Sequence, residues 1–85
     1  MKIHFDKGAI KEYQFWTKNN FSIIEKIHEL IIDIGKHSYE GIGKPEGLKG
    51  NLSGYWSRRI TDEHRLVYKI EGDNISIIAC RFHYV

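Results

Sequence analysis

Eighty-five residues suffice for one domain with a modest core, and 41% apolar residues exclude a disordered chain. The net charge of +2 is a mild basic bias, compatible with a polyanionic partner without identifying one. A single cysteine, Cys80, excludes an internal disulfide and a cysteine-based zinc site, and fits a small core residue in a reducing compartment.

No basic-then-apolar leader is present at Met1, and no apolar run approaches the roughly 20 residues of a bilayer span, so a cytoplasmic location is expected. Lys2 to Phe5, KIHF, alternates polar and apolar residues and predicts a first strand. Asp6 is placed to cap a helix over about residues 7–18, on which Ile10, Tyr13 and Trp16 share a face. Asn19 and Asn20 break it. A second helix follows, capped either by Asn20 or by a Ser22–Glu25 box. Its stripe of Ile23, Ile24, Ile27, Leu30, Ile31 and Ile34 predicts a buried face, with Gly35 as a candidate stop. The pair reads as a helical hairpin packed on a sheet.

Residues 37–54, HSYEGIGKPEGLKGNLSG, hold five of the eight glycines and the only proline. A stretch this long without periodicity is uncommon in a compact domain and is often functional. A short strand around Leu48 and Lys49 fits inside it. From Tyr55 to Tyr84 the pattern becomes a β-meander. YWSRRIT, RLVYKI and NISIIACRFHY are rich in β-branched and aromatic residues, and DEH and GDN join them. The predicted class is α+β, one domain over residues 1–85, with an N-terminal strand and a two-helix hairpin packed on an antiparallel β-sheet.

The register between the last two strands decides which residues meet. A three-residue turn of Gly72, Asp73 and Asn74 places Leu66, Tyr68, Ile70, Ile78, Cys80 and Phe82 on the helix side. Arg65, Val67, Lys69, Ile77, Ala79, Arg81 and His83 then fall on the opposite face. A two-residue turn sets Arg65 among Ile78, Cys80 and Phe82, which is the poorer arrangement.

The chemically capable residues are Lys44, Glu46 and Lys49 in the glycine-rich loop, Arg58, Arg59 and Arg65 around the first hairpin, and Arg81, His83 and Tyr84 on the expected last strand. His4, His28, His37 and His64 are scattered, with no metal-ligand spacing. No P-loop, dinucleotide fingerprint or nucleophile elbow is present. A carboxylate, an imidazole and guanidiniums without a metal suit cleavage of RNA by its own 2′-hydroxyl. A base takes the 2′-OH proton, an acid protonates the departing 5′-oxygen, and cations hold the charge on phosphorus. Glu46 is the candidate base and His83 the candidate acid. Arg65 and Arg59 are the candidate phosphate clamp. Glu46 nearby would favour protonated His83, and a ring of arginines would oppose it.

Each residue also has a plainer reading. Glu46 is solvated loop surface, His83 a strand edge, and Tyr84 a packing residue rather than a stacking platform for a base. Arg58 and Arg59 are one exposed arginine and one paired to Asp62 or Glu63. Composition and spacing alone favour a basic interaction module over a ribonuclease.

The run GKPEGLKGNLSGYWSRRITDEHRLVYKI followed by ACRFHY closely resembles the YoeB (Txe/YoeB) toxins of the RelE superfamily. The likeness extends back to FWTKNNFSIIEKIHELI in the helical hairpin. It implies a microbial-ribonuclease-like (RelE-like) fold and a bacterial type II toxin that cuts messenger RNA in the ribosomal A site. The implied products are a 2′,3′-cyclic phosphate and a 5′-hydroxyl, formed without a metal or cofactor. Glu46 in KPE is implied as general base, Arg65 in EHRLVY as the phosphate-stabilising arginine, and His83 in FHY as general acid. Lys49, Arg59 and Tyr84 fall on supporting positions, and Arg81 adds charge to the expected RNA-binding face. The resemblance also implies a YefM-like antitoxin, two antitoxin chains per toxin, operator DNA bound only through the antitoxin, and no membrane partner. The alternatives are a non-catalytic ParE-like gyrase inhibitor and an RNA- or protein-binding module on the same fold. Two departures stand out: Val85 extends past the usual terminal His-Tyr, and Gly47 should loosen the loop after Glu46.

Overall fold

The computed structural model describes residues 1–83. Strand β1 (Lys2–Phe5) leads into helices α1 (Lys7–Asn19) and α2 (Phe21–Lys36). Strand β2 (Glu46–Gly47), a 3-10 turn (Gly50–Leu52), and strands β3 (Trp56–Arg59), β4 (Arg65–Glu71) and β5 (Asn74–Ala79) follow. The five strands form one sheet in the order β1-β5-β4-β3-β2, with β1 parallel to β5 and the other pairs antiparallel. The predicted α+β class holds. The strand inside the glycine-rich loop falls on Glu46–Gly47, two residues before the expected Leu48 and Lys49.

Asp6 caps α1, its carboxylate accepting the Ala9 amide at 2.8 Å. The packing face of α1 runs through Ala9, Tyr13 and Trp16 at helical i, i+4, i+7 spacing. Ile10 lies off that face and stays 40% exposed, against the sequence expectation. On α2 the predicted stripe is buried, with Ile31 at its half-buried margin. Asn20 is the N-cap residue, as one of the two alternatives has it, but its side-chain oxygen accepts the Ser22 hydroxyl instead of a backbone amide; Ser22 lies inside the helix. Gly35 does not end the helix. The chain stays helical to Lys36, and the His37 amide closes it on the Asp33 carbonyl.

The β4–β5 hairpin turns on two residues, Gly72 and Asp73, since Glu71 pairs with Asn74. That register directs Ile75 and Ile77 into the core beside Tyr68. Ile77 is therefore a core residue, contrary to the sequence expectation. Tyr68 pairs with Ile77 but Val67 with Ala79, so Ile78 is an extra residue in β5. This bulge reverses the alternation beyond it. Cys80 returns to the core with Leu66, and Arg65 is kept off the helix face. The two-residue turn and a clean core coexist because of one bulge, which alternation cannot reveal. The strand also ends at Ala79. Arg81, Phe82 and His83 lie beyond the ladder rather than on it.

Cys80 is fully buried, with its thiol 3.6 Å from the Ala9 carbonyl oxygen. Burial, reinforced by the Glu12 carboxylate, pushes its pKa up to about 12. A soluble disulfide reagent at pH 8 should label the native protein only as fast as it opens, and the denatured protein at once. Rapid labelling of folded protein would contradict this burial.

Candidate active site

The long loop after α2 has its backbone accounted for by one side chain. Arg58 on β3 is fully buried on the helix side of the sheet. Its guanidinium donates to the carbonyls of His37, Glu40 and Ile42, and to the Asp33 carboxylate of α2 at 2.5 Å. Its Nε donates to the Tyr68 hydroxyl at 3.2 Å, and that hydroxyl donates to the Ser38 carbonyl at 3.0 Å. Three direct bonds, and a fourth through Tyr68, thus wind residues 37–42 around a buried cation. The partner of Arg58 is Asp33, not the expected Asp62 or Glu63. Arg58 and its bond to Asp33 hold the Asp33 carboxyl below its usual pKa, the Ile42 amide contributing and desolvation opposing.

Two glycines let the loop lie this close. A Cβ at Gly41 would sit 2.1 Å from Asp33 Oδ2. Gly43 has φ +81°, and a Cβ there would meet Leu30 Cδ2 at 2.8 Å. The Gly43 carbonyl then accepts the Arg59 amide at 2.6 Å, and Glu46 pairs with Ser57 on β3. The loop is in this way stitched to the strand that carries Arg59.

Lys44, Pro45, Glu46, Arg59, Arg65 and His83 line one cavity of about 280 Å³. This falls just short of the roughly 300–1,000 Å³ of an enclosed small-molecule site, and suits part of a longer ligand. Arg59 and Arg65 are directly paired across β3 and β4. Arg65 is nearly buried, and its Nη1 donates to the carbonyls of Thr61, Asp62 and His64 at 2.9, 3.0 and 3.3 Å. Among the described residues, its Nε and Nη2 bond no acceptor. Three permanent cations against one carboxylate give the cavity the sign that a phosphate needs. Two non-glycine residues with left-handed backbones flank it, Lys44 at φ +50° and Phe82 at φ +66°. Such conformations cost about 1–3 kcal/mol each and persist where the surroundings enforce them.

Of the residues singled out in the sequence, Glu46, Arg59, Arg65, His83 and Lys44 meet here. Lys49 is exposed just before the 3-10 turn and does not line the cavity. Arg81 is also elsewhere. Its guanidinium carbon lies 3.5 Å from the Phe15 ring centroid and 4.5 Å from that of Phe82, a stacking role on α1 in place of the expected phosphate contact. Tyr84 lies outside the described residues. In the sequence His64 is one of several scattered histidines, and its place directly before Arg65 is the signal that it borders the site.

Chemically, the cavity offers one carboxylate able to take a proton, one imidazole able to give one, and guanidiniums able to bind the oxygens between them. Glu46 and His83 are both exposed, so a ligand can reach them.

A family model described as a YoeB-like toxin of bacterial type II toxin–antitoxin systems matches residues 5–84. "Toxin YoeB" of Escherichia coli (strain K12) is 50% identical over 84 residues, covering 99% of this chain and 100% of that protein. A YoeB/ParE toxin from Agrobacterium tumefaciens superposes with a TM-score of 0.95 at 44% identity, covering 99% of this chain and 100% of that one. The toxin chain of a heterotetrameric YoeB–YefM toxin–antitoxin complex from Staphylococcus aureus superposes with a TM-score of 0.92 at 45% identity, covering 99% and 98%.

Proposed function

Because this chain belongs to the YoeB-like toxins of bacterial type II toxin–antitoxin systems, we propose that it is an endoribonuclease that cuts messenger RNA in the ribosomal A site. The observation that carries this reading is the convergence of Glu46, Arg59, Arg65, Lys44 and His83 on one cavity. Glu46 removes the proton of a 2′-hydroxyl. The freed oxygen attacks the adjacent phosphorus, and the bond to the 5′-oxygen breaks as His83 protonates that oxygen. Arg65, with Arg59 and Lys44, holds the charge that gathers on the phosphoryl oxygens. The products are a 2′,3′-cyclic phosphate and a 5′-hydroxyl, and the proton balance needs no metal. The cavity's small size fits a dependence on the ribosome, which would present one stretched phosphodiester to it.

The Staphylococcus aureus relative is found with YefM, and a YefM-like antitoxin is the partner proposed for this chain. A cationic cavity suits an acidic antitoxin segment as well as RNA. A cytoplasmic location follows from this reading, since ribosome, message and antitoxin would all be met there.

The test is to induce wild type and His83→Gln from a tight promoter and map messenger RNA 5′ ends within minutes. Fresh 5′-hydroxyl ends inside A-site codons, present for wild type and missing for the variant, are expected. Growth arrest with no new ends would refute the nuclease and point to another target.

A further inference from the structure

The last strand does not deliver His83, so something else must. Past Ala79 the chain has left the sheet, yet both backbone groups of Cys80 are taken by α1. Its amide donates to the Glu12 carboxylate at 2.8 Å, and its carbonyl accepts the Trp16 indole N–H at 2.9 Å. Arg81 then stacks on Phe15. Phe82 adopts the left-handed backbone that aims the next residue, and it too is held at both ends. Its carbonyl accepts the Arg65 amide at 3.0 Å, and its amide donates to His64 Nδ1 at 2.8 Å.

We propose that His64 is the positioning residue for His83, acting as the acceptor that fixes the turn at Phe82. A backbone N–H can only donate, so His64 Nδ1 must carry no proton, and the ring proton sits on Nε2. Nε2 lies 3.5 Å from Glu63 Oε1, a geometry that favours this tautomer. The ring itself is locked. It stands edge-on to Trp16 with centroids 4.8 Å apart, and the His64 amide donates to Thr61 Oγ1 at 3.1 Å. His64 and Arg65 thus grip the two peptide units that flank Phe82, one through its N–H and one through its C=O, and Arg65 also lines the cavity. One dipeptide at the start of β4 therefore sets the distance between the phosphate clamp and the acid. The left-handed φ of Phe82 explains why an anchor is needed, because an unsupported phenylalanine would relax out of it.

The inference about catalysis rests on the nuclease reading above, and the anchoring itself does not. The test compares His64→Phe, which keeps a ring against Trp16 but removes the acceptor, with His64→Asn, which keeps an acceptor two bonds from Cβ. Ribosome-dependent cleavage is measured for both beside wild type and His83→Gln. The order of the Phe82 and His83 amides is followed by nitrogen-15 relaxation. His64→Phe should lower kcat about 10- to 100-fold with KM unchanged, since a displacement of about 1 Å is enough for that loss. It should also loosen both amides at an unchanged Tm. His64→Asn should recover most of the rate and the order. Wild-type kcat and amide order in His64→Phe, or equal losses in both variants, would overturn the proposal. If wild type itself cuts no RNA, the nuclease reading fails, and the amide order alone decides whether His64 is the anchor.

Discussion

Cleavage is expected to fall by about 10²- to 10⁴-fold when either Glu46 or His83 is replaced by glutamine, the range for losing one proton-transfer group. Both side chains are exposed, so both variants should melt with wild type, which separates chemistry from folding. The losses should not multiply. A base and an acid that serve one displacement act as a unit, so the double variant should be little slower than the worse single one. Arg65 differs because it is nearly buried and clamps the turn over residues 61–64. Arg65→Ala should lose about 10²- to 10³-fold in rate, as when one preorganised donor to developing charge is removed. It should also lose stability, because the Thr61 and Asp62 carbonyls lose their partner, while that of His64 keeps the Ile60 and Thr61 amides. Arg65→Lys keeps the charge without the fork and should recover little. Single-turnover cleavage of messenger RNA on programmed ribosomes measures all of these. Wild-type rates for Glu46→Gln and His83→Gln would remove both from the mechanism.

The second large effect concerns folding. Arg58→Met should destabilise the protein by about 3–5 kcal/mol, the range for breaking a buried ion pair by deleting one partner. Native domains have only about 5–15 kcal/mol to lose. At about 4–8 °C per kcal/mol for a chain this size, Tm should drop by at least about 12 °C. The reason is the number of groups that lose their bond to Arg58 together: a carboxylate, a hydroxyl and three loop carbonyls. Activity should suffer beyond the stability loss, because residues 37–42 lead directly to Lys44 and Glu46. The pair also sets a pH dependence. Asp33 has a folded pKa below its unfolded value of about 3.9, so its contribution is complete above that value. It disappears as pH falls through the lowered one. The stability gap between wild type and Asp33→Asn in denaturant titrations should therefore be constant near neutrality and shrink below about pH 4. A gap that widens in acid would contradict the pairing.

Local pattern made much of this molecule legible. KIHF, the α2 isoleucine stripe and the three apolar strands announced themselves because a period of 2 or 3.6 is written in the residues that make it. The bulge at Ile78 was not legible, because an extra residue leaves the composition of a strand unchanged and alters only the phase beyond it. The two-residue turn is hidden for the same reason, since under unbroken alternation only a three-residue turn keeps Arg65 out of the core. Arg58 reads like Arg59 in the sequence. Only the approach of α2, 25 residues away along the chain, makes one the centre of a loop and the other a cavity wall. At the site, Glu46, Arg65 and His83 were reachable through chemistry and resemblance. Arg81 leaves the face that alternation predicts for it because the strand ends at Ala79.

The parallel pairing of β1 with β5 has a consequence for the order in which the protein becomes dangerous. Lys2 pairs with Asn74 and Phe5 with Ile77, so among the described residues the first strand finds its only ladder partner in the fifth. Synthesis proceeds at about 5–20 residues per second from the N-terminus, and contacts this distant in sequence form late. Until β5 emerges, β1 has α1 beside it but no strand to pair with, and the turn that holds His83 emerges later still. Under the proposed nuclease reading, a growing chain would therefore hold Glu46 long before His83, and could not cut the message from which it is being read.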